Sequence, residues 1–227
     1  MRIASIEVIG EVAHRHNVPF HTDAAQAAGH IHMDVEAMHI DIMSMSAHKM
    51  HGPKGVGALY VRSMRPAVRL EPMIYGGGQE DNQRSGTLNV PAIVGLGKAA
   101  QIAQDVMADE AHRHRAWTKQ MLGMFGDAGG VLNGHPKSRL AHNLNVRFPG
   151  VDGKAIINTV SDRLAISAGS ACTTETVEPS HVLLAMGLDE EQAHQSVRFG
   201  LGRYTTREET VRAAEIVLDA VRDISHQ

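Results

Sequence analysis

Apolar positions recur at helical spacing over residues 3–16, and the pattern stops at Asn17. Residues 19–23 read as a short strand ending in an acid, Asp23. Residues 40–46 read as a second, apolar strand and residues 55–62 as a third, with a short helix or turn over 33–39. A polar, proline-containing connection leads to the loop Gly76-Gly77-Gly78-Gln79-Glu80, and Pro91 opens a long helix that runs to about residue 125. Beyond it, strands are predicted at 131–132, 143–148, 164–167 and 196–201, and helices at 153–163, 180–186 and 206–224. Strands alternating with helices predict an α/β fold, followed by a smaller α+β unit of about 100 residues. The boundary is placed after residue 105, in the long helix. No internal repeat or low-complexity segment interrupts the pattern.

Composition narrows the function classes. The 227 residues carry a formal charge of −3 with 21% charged residues, so no basic surface points to nucleic acid or an anionic membrane. No apolar run approaches the ~20 residues needed to span a bilayer. The start of the chain lacks the apolar core of a signal peptide, and a soluble, cytoplasmic protein is expected. The single cysteine, Cys172, excludes an internal disulfide and a multi-cysteine zinc site. Fifteen histidines are scattered, as in His14-Arg15-His16 and His112-Arg113-His114 on helix faces expected to be exposed. No HExxH spacing occurs, so no metal site is expected.

The densest chemistry lies at residues 44–55, Ser-Met-Ser-Ala-His-Lys-Met-His-Gly-Pro-Lys-Gly. Lys49 stands where an apolar strand gives way to a Gly/Pro loop. By itself such a lysine reads as a solvated surface residue. Its surroundings change that reading: Ser46 and His48 precede it, and Asp23 ends the previous strand. The grouping suits an amine held as a Schiff base to pyridoxal phosphate (PLP), with a hydroxyl and an imidazole for the phosphate and a carboxylate for the pyridine nitrogen. Ligand residues at the carboxyl ends of strands are where α/β folds build sites. Cys172 lies among Gly, Ser, Ala and Thr rather than the Val, Leu and Ile that surround buried structural cysteines. It reads either as an incidental small residue or as a nucleophilic thiol on a loop. Arg198 interrupts an apolar strand, where a guanidinium is costly to bury unless paired, and its fork suits a carboxylate. Thr87 and Arg84 flank a glycine as an anion-contacting turn does, although turn chemistry alone explains them.

Taken in order, these segments resemble the cysteine desulfurases of the class V, fold-type I PLP enzymes. The resemblance rests on His21-Thr22-Asp23-Ala24-Ala25-Gln26, then Ser46-Ala47-His48-Lys49 with Gly52-Pro53-Lys54-Gly55, then Gly76-Gly77-Gly78-Gln79-Glu80 with Arg84-Ser85-Gly86-Thr87. It continues through Ser167-Ala168-Gly169-Ser170-Ala171-Cys172-Thr173, Glu178-Pro179-Ser180-His181-Val182-Leu183, and Ser196-Val197-Arg198-Phe199 to Gly202-Arg203-Tyr204-Thr205-Thr206. The Gly-Ser-Ala-Cys-Thr loop is similar to that of the group supplying sulfur for iron–sulfur assembly and tRNA thiolation.

The resemblance implies the C-terminal half of a PLP-binding large domain at 1–105 and a small C-terminal domain with a mobile cysteine loop at 106–227. It implies that Lys49 holds PLP covalently and shuttles the proton at the substrate α-carbon. Asp23 then pairs with the pyridinium nitrogen, Gln26 with the ring hydroxyl oxygen, and Ser46 and His48 with the phosphate. Thr87 reaches the phosphate in the neighbouring subunit of a homodimer. Arg198 binds the α-carboxylate of L-cysteine. Cys172 takes the sulfur as a persulfide for an acceptor protein, an iron–sulfur scaffold or a tRNA-thiolation protein, and alanine is released.

Relatives of this kind carry roughly 150 further residues before the match, about a domain's worth. The chain is therefore expected to be incomplete by itself: a truncated product, preferred here, one half of a split enzyme with a complementing N-terminal half, or a fragment. The alternatives to a desulfurase are a non-catalytic remnant or partner-binding module, and another class V member such as a selenocysteine lyase or an aminotransferase.

Overall fold

The computed structural model describes residues 3–64, 67–168 and 178–226. The chain divides into two compact units, Ala4–Ala108 and Asp109–Gln227 with Met1–Ile3.

The first unit opens with helix α1 (Ile6–Arg15), shorter than the apolar pattern predicts. Asn17 takes a left-handed conformation (φ 55°) that ends the helix, and Val18 N–H bonds back to Ala13 O. Strands β1 (His21–Asp23), β2 (Ile42–Ser46) and β3 (Gly57–Val61) form one sheet in that order. Each is shorter than expected, and the losses at Phe20, Asp41 and Arg62 share one cause. Asp41 accepts a hydrogen bond from Phe20 N (2.8 Å) and pairs with the buried Arg62 guanidinium (3.2 Å), while its backbone oxygen accepts from Arg62 N. The residues flanking the strands are spent on that clasp rather than on the ladder.

β1 and β2 run parallel, with Asp23 level with Ser44. β3 returns antiparallel, Ser44 facing Leu59 and Ser46 facing Gly57, because the loop over 47–56 is too short for a crossover. Period-2 alternation gives the sheet two faces. One contributes Met43, Met45 and Tyr60 to a core with Ala24, Ile40, Phe20, Met38 and Ile6. α1 approaches this core closely at Gly10, where a Cβ would lie 2.1 Å from Met38 O. The other face carries His21, Asp23, Ser44, Ser46 and Leu59.

Helix α2 (Val90–Asp127) begins in the first unit and ends in the second. Its first turns press on the loop after β2: a Cβ at Gly95 would lie 2.6 Å from Pro53, and one at Gly52 would lie 3.1 Å from the Ala99 Cβ.

In the second unit β4 (Val131–Leu132), β5 (Asn143–Arg147) and β6 (Ser196–Gly200) form an antiparallel sheet in that order. Helices α3 (Gly153–Val160), α4 (His181–Ala185), α5 (Glu190–His194) and α6 (Arg207–Ser225) complete it. Leu144, Val146, Val197 and Phe199 point into a core with Met121, Phe125, Phe148, Ile156 and Val217. Phe125 centres it, 5.4 Å from Phe148 and 5.0 Å from Phe199 between ring centroids.

Four expectations change here. The strand predicted at 164–167 reduces to one bridge, Ser167 with Arg198, because Arg163 and Leu164 N–H groups still bond back to Val160 O and keep the chain coiled. The predicted helix 153–163 ends at Val160, where Ser161 N bonds to Asn158 O (3.4 Å), three residues back, in place of the i−4 carbonyl. Helix α5 was not predicted. Its signature is the capping box in which Asp189 accepts from Gln192 N (2.7 Å) and Gln192 accepts from Asp189 N (3.4 Å). His114, expected on an exposed face, is buried, its Nε2 3.1 Å from Gly202 O.

Candidate active site

The residues singled out in the first unit gather at the carboxyl end of the parallel pair. β1 ends on Asp23 and β2 runs two residues further to Ser46. A 3-10 turn, Ala47–Met50, follows at once and carries His48 and Lys49. It is fixed from several sides. Ala47 N bonds to Val56 O, Gly52 N bonds to Ala47 O, and His30 Nε2 lies 3.0 Å from Lys49 O. His51 closes the turn in the left-handed region (φ 67°). Met50 is buried with Ala28 and Ala99 beneath it. Lys49 is half-buried.

Ser46 Oγ and His48 Nδ1 lie 2.9 Å apart. With the imidazole proton on Nε2, Ser46 donates to Nδ1 and the Nε2–H group is left for an anion. Asp23 is exposed, and its Oδ1 accepts from Ala25 N (2.8 Å), which sets the carboxylate at the strand end. His21 and Ser44 stand on the same face, Nε2 to Oγ 3.1 Å. Gln26 is exposed in the turn after Asp23. The donor set fits PLP: a carboxylate for a protonated ring nitrogen, a hydroxyl–imidazole pair for a phosphate, and one lysine amine. Thr87 is exposed beside Gly86, whose N–H donates to Gln79 Oε1 (2.9 Å).

Arg198 lies in the second unit, at the middle of β6 between Asn145 on β5 and Ser167. It is half-buried, and its guanidinium has no ion pair or hydrogen bond among the described residues. A cation so placed calls for an anion. Cys172 lies outside the described residues. Among the described residues, no group of three His, Cys, Asp or Glu side chains could hold a metal ion, and no helix is long and apolar enough to cross a membrane.

Sequence reasoning passed over the neighbours of Arg198. Asn143, Asn145 and Arg147 share its face, opposite Gly200, Arg198 and Ser196. Asn133 Nδ2 donates to Asn145 Oδ1 (2.6 Å) and Ser196 Oγ (2.9 Å). The signal was present in the strict alternation Asn-Leu-Asn-Val-Arg, which puts three polar side chains on one face.

Comparison with known proteins places the chain in a family. The family model described as aminotransferase class-V matches residues 2–212. The cysteine desulfurase IscS of Ehrlichia chaffeensis is 48% identical over 98% of this chain and 54% of its own length. The mitochondrial cysteine desulfurase of Arabidopsis thaliana is 46% identical over 98% of this chain and 49% of its own. Among solved structures, a NifS-like protein superposes with a TM-score of 0.86 at 31% identity, covering all of this chain and 58% of the other. The NifS-like protein of Rickettsia africae gives 0.84 at 27% identity, again over all of this chain and 59% of the other. The chain belongs to the aminotransferase class-V family, whose members use PLP. It spans about half the length of the curated relatives it matches.

Proposed function

We propose that this chain carries the lysine, the acid and the sulfur-accepting cysteine of a PLP-dependent cysteine desulfurase. The observation that carries the reading is the register-fixed set on the first sheet: Asp23 at the end of β1, and Ser46, His48 and Lys49 at the end of β2. When bound, PLP supplies an electron sink that labilises bonds at the substrate α-carbon. Lys49 Nζ tethers the cofactor and carries the proton to and from that carbon. Asp23 keeps the ring nitrogen protonated, Gln26 faces the ring hydroxyl, and Ser46 with His48 orients the phosphate. Arg198 holds the α-carboxylate of L-cysteine in two-point contact. Cys172 Sγ, as thiolate, bonds to the substrate sulfur. The carbon–sulfur bond breaks, and the sulfur stays on Cys172 as a persulfide while the carbon skeleton leaves as alanine. The relatives named cysteine desulfurase support the desulfurase reading, and its last step passes the sulfur to an acceptor protein, for iron–sulfur assembly or tRNA thiolation.

The reading extends to a homodimer in which Thr87 serves the partner's phosphate. Its support is the exposure of large apolar side chains on the segments that flank Thr87 in the chain, Met73, Ile74 and Tyr75 before it and Val90 and Val94 after it. A second reading, a partner-binding module, is favoured by α1, whose Val8, Ile9 and Val12 form an exposed apolar stripe on a side away from Gly10. Co-purification with a longer desulfurase, without PLP of its own, would distinguish it.

The test is the intact mass of the chain after incubation with PLP and borohydride, with the adduct mapped. An adduct confined to Lys49, followed by a cysteine-dependent persulfide that Cys172→Ala abolishes, supports the desulfurase. No adduct, or labelling spread over surface lysines, refutes a working site on this chain.

A further inference from the structure

The polar face of the second sheet holds more positive charge than one carboxylate needs. Arg147 and Arg198 occupy diagonal positions on β5 and β6: Arg147 faces Ser196, and Arg198 faces Asn145. On antiparallel strands such positions are about 7–8 Å apart, within reach of two long side chains. Both arginines are half-buried, and Arg147 Nε is buried without a hydrogen-bond partner. Neither guanidinium has a carboxylate partner among the described residues. The nearby Arg139 shows the ordinary solution, donating to Asn143 O (2.6 Å) and Thr118 Oγ1 (2.9 Å). The face otherwise carries only neutral groups, and the buried Asn143 Oδ1 is also without a partner. Two like charges on adjacent strands, partly desolvated and unpaired, oppose each other and oppose folding. A bound ligand with two negative groups removes both penalties.

We propose that Arg147 and Arg198 form a two-point anion site for a small dicarboxylate, one carboxylate on each guanidinium. The inference rests on the reading of Arg198 as a carboxylate ligand and adds Arg147 as the residue that selects a second acid.

The test uses the full chain with succinate as probe and acetate as control at constant ionic strength, so that screening is equal. Binding is read from the thermal midpoint of Trp117 fluorescence and by calorimetry. Succinate is expected to bind at least tenfold more tightly than acetate. Arg147→Gln should erase that preference while leaving acetate binding through Arg198, and Arg198→Gln should erase binding of both. Arg147→Lys, which keeps the charge but not the fork, should retain part of the preference. Without ligand, Arg147→Gln should melt no lower than the parent, since it removes an unpaired cation. Equal binding of succinate and acetate overturns the proposal. So does an undiminished succinate preference in Arg147→Gln; if Arg198→Gln alone abolishes binding, the carboxylate role of Arg198 stands. If neither substitution changes binding of either probe, both readings fall.

Discussion

Glu110→Gln tests what holds the turn after β6. Glu110 on α2 and Arg203 in that turn form an ion pair whose side chains are 5% and 12% exposed. The same turn is tied to α2 by His114 at Gly202 O and by Arg113 at Arg203 O. Gly202 N also bonds to Thr205 Oγ1 (2.9 Å). Neutralising Glu110 leaves the Arg203 guanidinium buried without its counter-charge, a loss of about 3–5 kcal/mol. The pair Arg222–Asp219, 69% and 56% exposed, is the control, because water already solvates both partners. Breaking it with Asp219→Asn should cost at most ~1 kcal/mol. Trp117 is the only tryptophan and lies on α2 with its ring 5.7 Å from His114, so its fluorescence in urea reports this unit. At an m-value of about 2 kcal/mol per molar, Glu110→Gln lowers the midpoint by roughly 1.5–2.5 M and Asp219→Asn by no more than ~0.5 M. Replacing both partners with methionine should recover most of the loss, since no buried charge then remains. A Glu110→Gln midpoint within ~0.5 M of the parent would refute the argument, as would a double variant as unstable as the single one.

Three further outcomes follow from the geometry. Gly10→Ala drives a methyl group into Met38 O and should cost about 1–3 kcal/mol in the first unit, checked by far-ultraviolet circular dichroism in urea; no loss would mean α1 is not seated on that core. Thr206→Ala removes the hydroxyl that accepts from Glu209 N (3.2 Å) at the start of α6 and should cost about 0.5–2 kcal/mol, with Thr206→Ser close to the parent. Asp34 accepts hydrogen bonds from Ala37 N and Glu36 N, which hold its carboxyl below the ordinary value of 3.8. A depressed folded pKa means that its stabilisation is present above the unfolded value and is lost as pH falls through the folded one. The difference between parent and Asp34→Asn should therefore be constant near neutrality and shrink below pH 3.8; a difference that grows on acidification would reverse the sign.

Much of this was legible in the sequence because single residues carried enough information. Thr206 with Glu209 announces α6, Asp23 ends an apolar run, and Lys49 follows Ser46 and His48 at fixed spacing. What stayed hidden depends on pairing between distant segments. Arg62 reads as the end of a strand, but its partner Asp41 is set by the fold and draws it out of the ladder. His114 sits in a charged run that looks solvated, and only its contact with Gly202 shows why it is buried. Residues 164–167 are apolar enough for a strand, yet the backbone bonds to Val160 O outcompete the ladder.

Arg147 shows the same limit in its sharpest form and shows where the chemistry of this fold is written. In each sheet, alternation sends one set of side chains to a core and leaves the other set free for polar work. On the first sheet Met43 and Met45 are spent on the core while Asp23, Ser44 and Ser46 share the opposite face. On the second, Leu144, Val146, Val197 and Phe199 build the core while Arg147 and Arg198 share the other side. A strand residue can be assigned to a face from sequence, but not to a neighbour, because the neighbour is fixed by register. Arg198 stood out in the sequence because an arginine in an apolar run is costly by itself. Arg147 was passed over in the sequence, and becomes anomalous only when the β5–β6 register sets it diagonal to a second unpaired guanidinium. One residue of register slip would turn either arginine into the Phe125 core, where its charge could not stay. The register that protects the core is thus the same constraint that brings the two cations together.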